Sequence, residues 1–180
     1  MKEKRILLVG DSITEGFPVN TILSEFNIVN KGVYGDNTSG VLSRLQSDVI
    51  NEYPDYVFLL IGTNDFALER TNEQILETMH HILDTLTSSL VLAEIYLTSI
   101  LPTRDIANRP NDRINLFNQE LKKISFNFGI HYFDLSVFFK DEMGELKSDL
   151  TTDGLHISEN GYQLWAEVLK NKLSAKPTIC

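Results

Sequence analysis

Cysteine is almost missing from this chain. Its one thiol, Cys180, has no partner within the sequence, so no intrachain disulfide supports the fold. Basic residues are outnumbered, with 16 Lys and Arg against 25 Asp and Glu. The resulting net charge of −9 argues against a nucleic-acid partner or an anionic membrane surface, both of which call for clustered Lys and Arg. Histidine is scarce, and His80 and His81 are adjacent, so on a helix they point about 100° apart and make a poor metal pair. No apolar run approaches the ~20 residues that span a bilayer, and no separate secretory segment precedes the first apolar run. Membrane insertion is therefore not expected, and a cytoplasmic location is. There is no glycine-rich phosphate loop of the G-x-x-x-x-G-K-[ST] kind, no internal repeat and no low-complexity run. Nothing here calls for a metal or other cofactor, and the sequence is silent on oligomeric state.

What remains is ordinary globular material, 42% hydrophobic and 23% charged. Short apolar runs alternate with segments of helical period. Residues 6–9, 26–30, 56–61, 94–101 and 130–135 read as strands, the third apolar throughout, as in a strand covered on both faces of a parallel sheet. Between them, 17–25 reads as a short helix, and Thr38 or Ser39 caps a second carrying Val41, Leu42, Leu45 and Val49. Thr71 with Gln74 forms a capping box for a long helix with an Ile75, Leu76, Met79, Ile82, Leu83, Leu86 stripe. Ile114, Phe117, Leu121, Ile124 and Phe128 mark another, stopped at Gly129, and Ser158 caps the last, with Trp165 inward. Residues 103–111 and 140–152 are polar connections. Strand–helix alternation implies an α/β three-layer sandwich, flavodoxin-like, with five parallel strands in the order 2-1-3-4-5. One domain over residues 1–173 is expected, with 174–180 a fraying tail.

On that topology several residues of one kind of chemistry fall at the carboxyl edge of the sheet, where open α/β sheets present their sites. Ser12 follows the first strand. Asp153 and His156, three residues apart, follow the fifth. A hydroxyl is a weak nucleophile until a base takes its proton, and an imidazole needs a carboxylate to fix its tautomer. The spacing lets one turn of chain bring Asp153 and His156 to the same side. Gly35 follows the second strand and Asn64 the third. The backbone N–H groups of Ser12 and Gly35 and the side-chain amide of Asn64 could form an oxyanion hole. Asp11 and Asp65 flank these positions and read as loop-fixing carboxylates, and His131, near the edge strand, reads as structural.

Four stretches in this order resemble the blocks of the GDSL lipases and esterases, the SGNH hydrolases. Gly10-Asp11-Ser12-Ile13 is similar to the first block, Gly32-Val33-Tyr34-Gly35-Asp36 to the second, Gly62-Thr63-Asn64-Asp65 to the third and Asp153-Gly154-Leu155-His156 to the fifth. The resemblance spans nearly the whole chain and is nearest to small intracellular acylhydrolases of the platelet-activating-factor acetylhydrolase-like type. It implies a flavodoxin-like sandwich, a triad of Ser12, Asp153 and His156, and an oxyanion hole of Ser12, Gly35 and Asn64. The expected activity is hydrolysis of short-chain carboxyl esters, small-molecule substrates, through an acyl-enzyme. The same residues would serve a carbohydrate O-deacetylase or an acyltransferase. A different class, a flavodoxin-like nucleotide- or phosphate-binding module, would leave Asp153 and His156 without a task. Ile13, Tyr34, Phe66 and Ile157, each beside a proposed site position, are expected to line a small acyl pocket.

Overall fold

Strand pairing fixes where every loop emerges. In the computed structural model, which describes residues 3–174, β1 (Arg5–Gly10) lies between β2 (Asn27–Gly32) and β3 (Tyr56–Leu60), and both pairings are parallel. β4 (Glu94–Thr98) and β5 (His131–Phe133) extend the sheet on the β3 side, giving the order β2-β1-β3-β4-β5. This is the five-stranded order expected from the alternation of strands and helices. All strands run the same way, so the loops after β1, β2 and β3 are neighbours along one edge.

The sheet carries a core on each face, since successive strand residues point to opposite sides. Leu7, Val9, Val57 and Leu59 face α3 (Thr38–Asp48), α5 (Asn72–Ser89) and α6 (Asn111–Asn127). Ile6, Leu8, Phe58 and Leu60 face the other way, against Phe17, Leu23 and the Trp165–Leu169 stretch of α8 (Glu159–Ser174). Covering on both faces is why β1 and β3 have no polar alternation. The capping box of α5 is present, with the Thr71 side chain accepting from the Gln74 N–H and the Gln74 side chain accepting from the Thr71 N–H.

Four expectations are corrected locally. Residues 17–25 do not form one helix. Only the single turn α2 (Val19–Ile22) is helical there, and it starts after Pro18; the turn α1 (Ser12–Glu15) comes before the range. Proline lacks an N–H and biases the residue before it away from helix. The Asn30 amide takes up the carbonyls left over, donating to Thr14 O at 2.7 Å and Phe17 O at 3.0 Å. The cap of α3 is Asn37, whose side chain accepts from the N–H groups of Ser39 and Gly40. The final strand is shorter than its apolar run, because α7 (Ser136–Phe139) begins three residues beyond it. Within 140–152 the chain is not merely polar: Leu146 and Leu150 are buried, and two isolated bridges, Lys140–Leu146 and Thr151–Ile157, shape it. Of the expected tail, residues 175–180 lie outside the described residues. No helix among the described residues is long and apolar enough to cross a membrane.

Candidate active site

Ser12 stands at the first position of α1 because Asp11, the residue after β1, is the N-cap. The Asp11 carboxylate accepts from the Ile13 N–H at 2.9 Å and its carbonyl from the Glu15 N–H at 2.8 Å. From the other end of the chain, His156 Nε2 comes within 3.0 Å of Ser12 Oγ. The second ring nitrogen, Nδ1, is 2.7 Å from Asp153 Oδ2. Asp153 Oδ1 accepts the N–H groups of His156 at 2.7 Å and Leu155 at 3.0 Å, so the carboxylate fixes the ring and its backbone together. Desolvation works to raise the Asp153 pKa, but the His156 ring and those two N–H groups together outweigh it and hold the carboxyl down at about 2. An ionised acceptor on Nδ1 leaves Nε2 as the proton acceptor facing the hydroxyl.

This histidine loop is anchored by a close backbone approach. The Arg104 N–H donates to Gly154 O at 2.8 Å, and Gly154 has φ +85°. A Cβ at Gly154 would stand 2.1 Å from Arg104 O, so only glycine fits.

Gly35 occupies the third position of a turn closed by Asp36 N–H to Val33 O at 3.1 Å, with φ +72°. That sign of φ at that position is the type II arrangement, which favours glycine. Among the described residues nothing accepts the backbone N–H of Gly35 or of Ser12. On the opposite side of β1, Asn64 sits in the first turn of α4 (Thr63–Ala67). Its Nδ2 donates to Asp36 O at 2.8 Å, which ties the loop after β3 to the loop after β2. Asp65, fully buried, accepts from the Thr38 N–H at 2.9 Å and the Thr38 hydroxyl at 2.7 Å, and pairs with Arg70. Asp36 in turn holds Arg44, which donates to Gly10 O at 3.1 Å. Three adjacent loops are thereby locked to one another. Asp11 and Asp65 act on loops, as expected.

Two residues carry more than their sequence positions announce. Arg109 reaches in from the β4–α6 connection, donating from Nη2 to Asn64 Oδ1 at 2.9 Å and from Nε to Thr63 O at 3.1 Å. Asp11 is completely buried, and its Oδ2 has no hydrogen-bond partner among the described residues. Burial pushes its pKa up to about 7, against lowering influences from the Ile13 N–H, His156 and Arg109. Neither was legible beforehand: Arg109 lies in an irregular polar stretch without period, and an N-cap aspartate is ordinarily half in water.

The expected acyl pocket is corrected. Ile13 and Ile157 are buried in the core on one face of the sheet, and Phe66 in the core on the other, edge-on to Phe117. They cannot line one cavity. The reason differs by element: on α1 and α4, Ile13 and Phe66 stand one and two positions from Ser12 and Asn64, about 100° and 200° around the helix, and Ile157 is turned inward by its bridge to Thr151. Tyr34 alone is at the surface, 76% exposed. A depression of about 250 Å³ lies beside Asp153, lined by Arg104, Asp105, Ser148, Thr151 and Thr152. His131 packs on the Tyr96 ring at 4.6 Å in the edge strand, a structural place.

The fold and this edge define a three-layer α/β sandwich with an Asp–His–Ser chain of hydrogen bonds at its carboxyl end. The GDSL-like lipase/acylhydrolase family matches residues 8–164, and the chain belongs to that family of acylhydrolases and esterases. A candidate platelet activating factor protein from Streptococcus pneumonia is 32% identical over 95% of this chain and 84% of its own, with a TM-score of 0.89. The platelet-activating factor acetylhydrolase IB subunit alpha2 of Rattus norvegicus is 26% identical, over 89% of this chain and 72% of its own. The N-acylneuraminate cytidylyltransferase of Escherichia coli O18:K1:H7 is 27% identical over 94% of this chain, which spans 39% of that protein's length.

Proposed function

We propose that this chain is a serine hydrolase that cleaves short-chain carboxyl esters through an acyl-enzyme, with residues 1–173 as one catalytic domain. The observation that carries the reading is the unbroken chain Asp153 Oδ2–His156 Nδ1, 2.7 Å, and His156 Nε2–Ser12 Oγ, 3.0 Å. His156 Nε2 takes the Ser12 proton as Oγ adds to the ester carbonyl carbon. The former carbonyl oxygen carries the negative charge, and the N–H groups of Ser12 and Gly35 and Nδ2 of Asn64 receive it. The imidazolium, stabilised by Asp153, then gives its proton to the alkoxide as the carbon–oxygen bond breaks. Water, deprotonated by His156, repeats the addition on the acyl-Ser12 ester, releasing the acid and restoring the hydroxyl.

The named relatives include an acetylhydrolase, which supports a small acyl group. The hydrogen-bonding side chains of Arg104, Asp105, Ser148, Thr151 and Thr152 in the depression beside Asp153 favour a second reading of the alcohol side, a carbohydrate whose O-acetyl group is removed. A fluorophosphonate probe that labels the wild type and not Ser12→Ala, together with Ser12-dependent turnover of p-nitrophenyl acetate, tests the first statement. Absence of both reactions in the folded wild type refutes it.

A further inference from the structure

Arg109 is half-buried, yet among the described residues no carboxylate lies within ion-pair distance of it. Burial lowers its pKa, and the charge it feels most is that of Asp11, which works the other way. An arginine placed so ordinarily finds an anion. This one instead spends its donors on the loop that carries Asn64: Nη2 to Asn64 Oδ1 at 2.9 Å and Nε to Thr63 O at 3.1 Å, with Nη1 on Asn108 Oδ1 at 3.2 Å.

The consequence for the amide is unambiguous. A guanidinium can only donate and a backbone carbonyl can only accept. Asn64 is held between one of each, Arg109 on Oδ1 and Asp36 O on Nδ2 at 2.8 Å. The flipped amide would set donor against donor and acceptor against acceptor. One Nδ2 proton is used by Asp36 O, and the second is left for a ligand. A charge-assisted bond on the oxygen of an amide also polarises its N–H groups, strengthening them as donors.

We propose that Arg109 is a positioning residue for the esterase reaction: it fixes the Asn64 amide with its free N–H toward the oxyanion, polarises it, and places behind it a positive charge that no direct ion pair among the described residues neutralises. This rests on the serine-hydrolase reading above. Arg109 acts through Asn64, and that dependence separates it from a residue that merely braces a loop.

The test compares wild type, Arg109→Ala, Arg109→Lys, Asn64→Ala and the Arg109→Ala/Asn64→Ala double variant. Steady-state hydrolysis of p-nitrophenyl acetate and the rate of fluorophosphonate labelling at Ser12 are the readouts, with thermal melting to establish folding. Arg109→Ala is expected to lose about ten- to hundred-fold in kcat, the value of one hydrogen bond to a charged group, with KM little changed. In the Asn64→Ala background the same substitution should cost almost nothing. Added guanidinium should restore part of the kcat of Arg109→Ala and none in the double variant. Arg109→Lys keeps the charge but not the fork that reaches both Thr63 O and Asn64 Oδ1, and should fall between. If Arg109→Ala does not fold, wild-type kcat in Arg109→Lys overturns the proposal. So does a full additional loss from Arg109→Ala in the Asn64→Ala background. A wild type that neither labels at Ser12 nor turns over ester refutes the serine-hydrolase reading, and this proposal with it. A wild type that labels while folded Arg109→Ala keeps its rate refutes this proposal alone.

Discussion

His156 reaches Asp153, three residues before it, through Nδ1 at 2.7 Å, and Ser12, 144 residues before it, through Nε2 at 3.0 Å. The short span is closed by one turn of chain and the long one by the whole sheet. If both contacts serve one proton transfer, the residues act as a unit. Ser12→Ala and His156→Ala should each remove nearly all turnover, and the double variant should lose little beyond either. Additive losses in kcat would show that they do not share a step.

Asn64 permits a sharper expectation. Asn64→Ala should lower kcat by about 10²- to 10³-fold with KM nearly unchanged, the usual result of removing one oxyanion donor. Asn64→Asp should be worse, since a carboxylate there would face both Asp36 O and the developing oxyanion. Wild-type kcat in folded Asn64→Ala would reduce this residue to a bridge between two loops.

Gly154 and Gly144 form a natural control pair. Both have positive φ, +85° and +79°, but a Cβ meets Arg104 O at 2.1 Å in the first case and nothing within 4 Å in the second. Gly144→Ala should cost about 1 kcal/mol of backbone strain. Gly154→Ala should cost clearly more and should also lower kcat, because the clash displaces the loop that carries Asp153 and His156. Melting curves and esterase assays of the two variants check this, and equal melting temperatures would refute the close approach.

Asp11 gives a pH dependence of stability with a definite sign. Its carboxyl is raised from 3.8 to about 7 in the folded protein, so between those values the folded state holds a proton that the unfolded state has released. Stability from this group therefore falls as pH rises from about 4 to about 7. Asp11→Asn keeps an acceptor for the Ile13 N–H and removes the titration. Its melting temperature relative to wild type should rise steadily across that window, as measured by a pH series of thermal melts. A constant difference would mean that Asp11 does not titrate there. Asp153 acts in the opposite sense: held at about 2, it stabilises above 3.8 and loses that contribution only as pH falls toward 2.

Patterned features were legible in the sequence and aperiodic ones were not. The apolar run of β3 and the stripe of α5 repeat with a period, and the strand order followed from their alternation. Ser12, Asp153 and His156 could be grouped because parallel strands deliver their following loops to one edge. Arg109 could not, because its contact with Asn64 spans 45 positions through a stretch with no period. The pairing of Gly154 with Arg104 is likewise a backbone approach that leaves no mark but a glycine. Ile13, Phe66 and Ile157 failed as pocket residues for a related reason: adjacency along the chain says nothing of direction, and all three point into the core.

That failure bears on acyl length. With Ile13, Phe66 and Ile157 committed to the core, Tyr34 is the one expected pocket residue left at the surface, and it is 76% exposed. The depression beside Asp153 is lined by Arg104, Asp105 and hydroxyl side chains, which suit a polar alcohol better than an alkyl chain. Each methylene moved from water into an apolar site contributes about 0.8 kcal/mol, but only while there is apolar surface to meet it. An acyl chain here would soon leave protein contact and return to water, where further methylenes gain nothing. kcat/KM should therefore peak with acetyl to butyryl esters and fall by chains of about eight carbons. A series of p-nitrophenyl esters, assayed below the concentrations at which they aggregate, measures this. Efficiency that climbs through about ten carbons would require the Tyr34 turn or the 103–111 connection to move and expose core residues to the substrate.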